Sequence, residues 1–169
     1  MGDTMNLINT EAIKKIKELA KDANTCHFVT NLSGTPLSSR PMATQKVDDE
    51  GNIWFLSDKD SEKNHQIQSD NRVQLFYSAH GSYEYLSVYG TAEILFDKQK
   101  IHEMWTNFAK AWFTEGENDP SISLIKVMPE DGYYWDTKNN KIVSLFKIAK
   151  SIVTGKTDDD GVEGKLSLN

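Results

Sequence analysis

Residues 48–57, Asp48-Asp49-Glu50-Gly51-Asn52-Ile53-Trp54-Phe55-Leu56-Ser57, set turn chemistry directly against an aromatic and β-branched run. The first five residues are those of a tight turn, with Gly51 free to take a positive φ. The next five read as a strand. Upstream, Ser38 to Val47 reads as another strand, preceded by the turn Ser33-Gly34-Thr35-Pro36 and by a strand over Cys26 to Leu32. Downstream, Arg72 to Tyr77 and Tyr83 to Phe96 carry the same signature, joined at His80-Gly81-Ser82. Gly90 inside the longer run marks a bend or bulge. Ser123 to Met128 is a further strand, and Gly132-Tyr133-Tyr134-Trp135-Asp136 begins one that Lys138-Asn139-Asn140 turns. Such spacing predicts a mainly β protein, a meander of about six or seven antiparallel strands closed into a small β-barrel with flanking helices. No βαβ alternation, G-x-G-x-x-G or phosphate-binding P-loop occurs.

The helices are few. Ile13, Ile16, Leu19 and Ala20 recur at helical spacing and predict a helix over 10–23 with Thr10 as its cap. Ser61 to Ser69 reads as a short helix capped by Ser61. Ile101, Met104, Trp105, Phe108 and Trp112 form an apolar stripe that predicts a helix over 97–113. Residues 141–153 are apolar and suit either a strand or a helix. Residues 1–153 are expected to form one domain, and 154–169, with Asp158-Asp159-Asp160, a polar, flexible tail.

The chain has 169 residues, and its 19 Lys+Arg against 25 Asp+Glu leave a net charge of −6. That balance argues against nucleic-acid binding and against an anionic membrane surface. No apolar run is long enough to span a bilayer, and the first residues lack the apolar core of a signal peptide. A cytoplasmic location is the expectation. The single cysteine, Cys26, excludes an internal disulfide and reads as a small core residue. His27, His65, His80 and His102 show no metal-ligand spacing, so no metal is expected.

Chemistry concentrates in Ser38-Ser39-Arg40-Pro41-Met42 and in Leu56-Ser57-Asp58-Lys59-Asp60-Ser61-Glu62-Lys63. The hairpin brings Arg40 towards the place where the next strand gives way to a helix. A helix N-terminus offers free N–H groups and a partial positive charge. Ser57 and Ser61 add hydroxyl donors, Arg40 a planar fork and Lys63 a point charge. That set suits a dianionic phosphate monoester, although Asp48, Asp49, Glu50, Asp58, Asp60 and Glu62 outnumber its cations. An ordinary capped helix with surface ion pairs is the alternative that the residues alone leave open.

Over about residues 8–145 the chain resembles the pyridoxamine 5′-phosphate oxidase-like, FMN-binding split-barrel superfamily, and within it the general stress protein 26 branch. The likeness rests on Ser39-Arg40-Pro41-Met42, on Trp54 through Lys63, on Tyr89-Gly90-Thr91-Ala92-Glu93, on Trp112-Phe113 leading to Gly116 and Asp119-Pro120, and on Tyr133-Tyr134-Trp135. It implies a split barrel that binds FMN as a homodimer with the cofactor in the interface. By the same likeness Arg40 and Lys63 contact the FMN phosphate, and Ser57 and Ser61 donate to it. Pro41, Met42 and the backbone through Gln45 run along the flavin ring, Leu56 sits at its edge, and Trp112 and Trp135 reach the flavin or the neighbouring subunit. The true oxidases carry lysine at Gln45, arginine at Glu62 and glutamine near Tyr85, and they bind substrate phosphate through an arginine motif where this chain has Lys141-Ile142-Val143-Ser144-Leu145. The implied function is an FMN-dependent oxidoreductase that is not itself a pyridoxamine-phosphate oxidase. The alternative is a non-enzymatic flavin-binding or stress-response module.

Overall fold

Alternating burial along each run decides which side of the sheet faces the core. The computed structural model describes residues 3–81, 83–137 and 161–168. In chain order these form β1 (Asp3–Thr4), β2 (Leu7–Ile8), α1 (Asn9–Ala23), β3 (Thr25–Thr30), β4 (Ser38–Ala43), β5 (Lys46–Val47), β6 (Ile53–Asp58), α2 (Glu62–Ser69), β7 (Arg72–Ser78), β8 (Tyr85–Leu95), α3 (Lys98–Met104), β9 (Ile122–Thr137) and β10 (Gly161–Ser167). The described strands make one 10-stranded sheet in the order β1-β10-β9-β8-β7-β3-β4, with β6 added to β9 and β5 to β6. All pairings are antiparallel except those of β1 and β2, which run parallel to β10.

The barrel splits at β9. β8 follows one edge of this 16-residue strand, from Leu124 to Trp135. The other edge is shared: Ile122–Val127 pairs with β6, and Asp131–Thr137 pairs with β10. The two strands expected at 123–128 and from 132 are thus one. Pro129 is tolerated within it because the register shifts there: Tyr89 and Gly90 face Asp131 and Pro129, and Glu130 of β9 bulges out without a partner on β8. A Cβ at Gly90 would lie 2.2 Å from the Met128 carbonyl oxygen, so glycine is required there.

Phe28, Leu75 and Val88, all at 0 % exposure, stand in register across β3, β7 and β8 and face inward. Phe28 meets Phe55 of β6 edge-on at 5.1 Å, across the interior rather than along a ladder. α1 closes one end with Ala12, Ile16, Leu19 and Ala20, four residues on one helical face. A second cluster, Trp54, Ile101, Met104, Ala109, Phe113, Ile122 and Leu124, covers the outward face of β6.

Several expectations are corrected. The strand read over 38–47 is broken at Thr44-Gln45, where Thr44 N–H donates to Asn24 O and Gln45 N–H to Trp54 O. There the chain leaves β3 for β6, and a barrel corner forms. α1 starts with Ile8, not Thr10, at its cap position and has no side-chain cap bond, because Leu7–Ile8 is held extended by β10. The helix read over 97–113 ends at Met104. Trp105 and Thr106 are extended, and a 3-10 helix spans Asn107–Ala111. Thr106 and Asn107 favour caps over helix interiors. The break shifts the phase, so Ala109 and Phe113 are buried while Phe108 and Trp112 are about 65 % exposed.

The tail is also corrected. Gly161–Ser167 is a strand, and Leu166 is fully buried. Val162, Gly164 and Leu166 face inward while Glu163, Lys165 and Ser167 face out, and the polar half of this alternation hid the strand. The segment read as ambiguous at 141–153, Lys141 to Leu145 and the acidic run at 158–160 lie outside the described residues. Among the described residues, no helix is long and apolar enough to cross a membrane.

Candidate functional site

β6 runs into α2 through a corner held by buried hydroxyls. Ser57 Oγ donates to Asn64 Oδ1 at 2.8 Å, Asn64 Nδ2 donates to Ser123 Oγ at 2.9 Å, and Ser123 Oγ donates to the Ser57 carbonyl at 3.0 Å. All three residues are buried. This ring fixes the first turn of α2 against β6 and β9. It also changes the reading of Ser57: its hydroxyl faces the interior and is committed to Asn64, so it works as a positioning group rather than as a donor to an external phosphate. Ser61 occupies the α2 cap position, makes no cap bond, and lies 3.4 Å from Ser57 Oγ. Its half-buried hydroxyl remains at the surface of the corner.

Arg40 lies opposite Phe28 in the β3–β4 ladder and therefore points to the inward side of β4. At this end of the barrel it meets polar partners. Nη1 donates to Thr30 Oγ1 at 2.6 Å and to the Phe28 carbonyl at 3.4 Å, and Nη2 donates to Gln66 Oε1 at 3.3 Å. Gln66 of α2 also accepts from Thr30 Oγ1, and its Nε2 donates to Ser38 Oγ and Glu62 Oε1. Gln66 thus joins the foot of α2 to β3 and β4 and fixes the guanidinium plane. Gln66, Thr30 and Asn64 were not anticipated. The only local signal was the Glu62–Gln66 spacing of four on α2.

Lys63 stands beside this arrangement, half-buried. Burial, and next the nearby positive charge of Arg40, hold its ammonium below the usual lysine range, while Asp58 acts in the opposite sense. Arg40 is likewise lowered, by burial against the favourable charge of Glu62. Among the described residues neither cation is in an ion pair with a carboxylate. Two partly desolvated cations stand close together, and Glu62 and Asp58 offset their burial only in part, so a bound anion would relieve the remainder. A terminal phosphate fits the donor set of Arg40, Ser61, Lys63 and the first N–H groups of α2.

The other candidate residues distribute around this corner. Met42 faces inward and packs against the main core, whereas Pro41 is exposed on the outer face, in register with His27, Phe76, Ser87 and Tyr133. Gln45 is half-buried, and its Nε2 donates to the Ala43 carbonyl at 3.1 Å. Leu56 packs on the second cluster, outside the barrel. Trp135 is 42 % exposed and stacks on Tyr133 with ring centroids 4.7 Å apart. Trp112 stands on another element, against Phe108 at 4.9 Å. Arg40, Ser61 and Lys63 are brought to one corner; Trp112 and Trp135 belong to separate surfaces.

A split barrel with two half-buried cations at one corner is the class that fold and site define. The chain belongs to the pyridoxamine 5′-phosphate oxidase like family, whose model matches residues 11–159. A chain of Jannaschia sp. CCS1 described as a general stress protein 26 is 27 % identical, with a TM-score of 0.76 over 91 % of this chain and 96 % of that one. The general stress FMN/FAD binding protein of Xanthomonas citri shares the fold at 24 % identity and a TM-score of 0.64, covering 76 % of this chain and 90 % of that one. Protein bli-3 of Neurospora crassa is 26 % identical over 129 residues, 71 % of this chain. The match spans 62 % of the length of that curated relative.

Proposed function

We propose that this protein is a flavoprotein that holds FMN by its phosphate between Arg40, Ser61, Lys63 and the start of α2, and that it acts as an oxidoreductase in homodimeric form. The observation that carries this reading is the Arg40–Lys63 pair, two half-buried cations without a carboxylate partner among the described residues. Two cations converging on one corner suit the dianionic end of FMN. The fold relative from Xanthomonas citri, named for FMN/FAD binding, supports a flavin as the ligand. The flavin, when bound, supplies hydride or electron transfer; the chain supplies placement and electrostatics.

Each residue then has a task. Gln66 and Thr30 lock the Arg40 fork, so little rotamer freedom is lost on binding. The Ser57–Asn64–Ser123 ring holds α2 at the angle that aims its N–H groups outward. The backbone from Pro41 to Gln45 borders the ring system, while the Met42 and Leu56 side chains pack on the two clusters that support it. Gln45 is neutral and gives a developing negative charge on the flavin less help than a lysine. Together with the absent arginine motif at 141–145, this argues for a reaction other than pyridoxamine-phosphate oxidation.

The homodimer is supported by the outer sheet face. Phe76, Tyr85 and Trp135 are 47, 44 and 42 % exposed on three adjacent strands, next to Tyr133 and Pro41. An aromatic surface of this kind is typical of an interface core. Pairing there would bring the partner's copy of this face over Pro41.

The test is an FMN titration followed by flavin fluorescence. Lys63→Ala should weaken binding at least about tenfold, since a charge-assisted contact contributes roughly 1.5–3 kcal/mol. Among the described residues the Lys63 side chain makes no hydrogen bond or ion pair, so the fold is retained. Unchanged affinity in this variant, or a haem Soret band in the purified protein, overturns the reading. With FMN bound, bleaching by NAD(P)H without oxygen supports the oxidoreductase; a flavin that no donor reduces indicates the non-enzymatic module.

A further inference from the structure

A cavity of about 370 Å³ lies between the last turns of α1 and the corner where β4 gives way to β5. Its apolar part is Ala20 and Val47, and its cationic wall is Lys17, Lys21 and Lys46. No carboxylate lines it. Lys17 is held by Asp49 at 2.6 Å, but that carboxylate is fully exposed, and such surface pairs contribute little. Lys21 and Lys46 form no close ion pair among the described residues, although the charge of Asp49 also reaches Lys46. In a chain of net charge −6, this wall is a local reversal of sign.

The carbonyl end of α1 opposes an anion here, with about half an elementary negative charge. Three lysines exceed that, even with Lys17 partly neutralised. The pocket is also preformed. Asn24 takes a φ of 60° at the end of α1, and its carbonyl accepts from Thr44 N–H at 2.9 Å, which ties the helix to the corner. Gln45, whose Nε2 donates to the Ala43 carbonyl, lines the same place. The volume lies in the range of small-molecule sites.

We propose that this pocket binds a second anion, a small phosphorylated metabolite, at a site distinct from the Arg40–Lys63 corner. Thr44 stands four residues beyond Arg40 on the chain, about 13 Å of extended backbone, so one phosphate cannot serve both places. Lysines recognise such a group as point charges, without the planar demand of a carboxylate fork. Of the residues lining this pocket the flavin reading uses only Thr44 and Gln45, and those for the ring and not for the phosphate, so the test separates the two.

The experiment is a titration of the full chain with inorganic pyrophosphate at constant ionic strength, followed by amide shifts in 15N–1H spectra. Saturable shifts centred on Asn24, Thr44, Gln45 and Lys46 are expected. They should persist in Lys63→Ala and weaken about tenfold or more in Lys21→Ala/Lys46→Ala. Both lysines of the double variant are exposed, so the fold is retained. The proposal is overturned if these amides show no saturable shift, if the double variant binds as well as the parent, or if Lys63→Ala abolishes the shifts at Asn24 and Thr44. Loss of FMN binding in Lys63→Ala with these shifts intact would uphold both sites separately.

Discussion

Asn64 shows how much one buried amide can organise. Its two polar atoms satisfy Ser57 and Ser123, which lie on different strands. Asn64→Leu would leave both hydroxyls without that partner in the interior, and a buried unsatisfied group costs roughly 1–3 kcal/mol. A loss of about 2–4 kcal/mol in urea unfolding is expected, together with weaker FMN binding because the start of α2 is released. Cys26 offers a second check. Burial pushes its thiol up to about 12, so it should resist alkylation in the native protein and react on unfolding. The sign of its pH effect follows from the raised value. Below the ordinary thiol value of 9.0 its contribution to stability is complete; above it the unfolded chain releases the proton first, and stability falls as pH rises towards 12. Unfolding measured across this alkaline window should show a shallower decline in Cys26→Ala. At this scale the sequence was legible where charge and placement decided. Arg40 and Lys63 could be paired from a hairpin and a helix start alone. Ser57 could not be read correctly, because Ser123, which closes its ring with Asn64 by donating to the Ser57 carbonyl, lies 66 residues away, and no local pattern tells a surface hydroxyl from one turned into such a ring.

Elements that follow period and turn rules were readable, and those governed by distant packing were not. α1 and α2 lie within a residue or so of their expected bounds. Gly90 was recognised as an irregularity, and the register shift at Tyr89/Gly90 supplies its cause. Gly90→Ala should therefore destabilise by roughly 2 kcal/mol or more, since the new methyl group would meet backbone rather than a movable side chain. Thermal unfolding is the measurement. The stripe at 101–112 misled because Trp105 and Thr106 interrupt it, and a two-residue extended step cannot be seen in a hydrophobic period. β10 was missed because a short strand of alternating small apolar and charged residues reads as solvated unless its neighbours are known. Its cross-strand partners include Tyr133–Thr137 and, on the other side, residues 3–8.

For the whole molecule, the outer aromatic face makes the sharpest demand. Phe76→Lys/Trp135→Lys should yield a folded monomer in sedimentation, with FMN held more weakly than in the parent, because the partner's contribution is lost. A parent protein that sediments as a monomer with FMN tightly held would contradict the interface. The split barrel as a class was legible from the order of strands and turns. The fork at β9 was not, since one strand sharing an edge between two partners leaves no periodic trace.

Strand β10 lies between β9 and the residues that open the structure, and Gly164 leaves no space for even a methyl group beside the Met5 carbonyl. Residues 3–8 thus emerge early from the ribosome but have to wait for 161–167 before they can pair. The barrel's seam therefore closes by bringing together residues that stand far apart along the chain, a pairing that pays its loop-closure cost before it gains any contact.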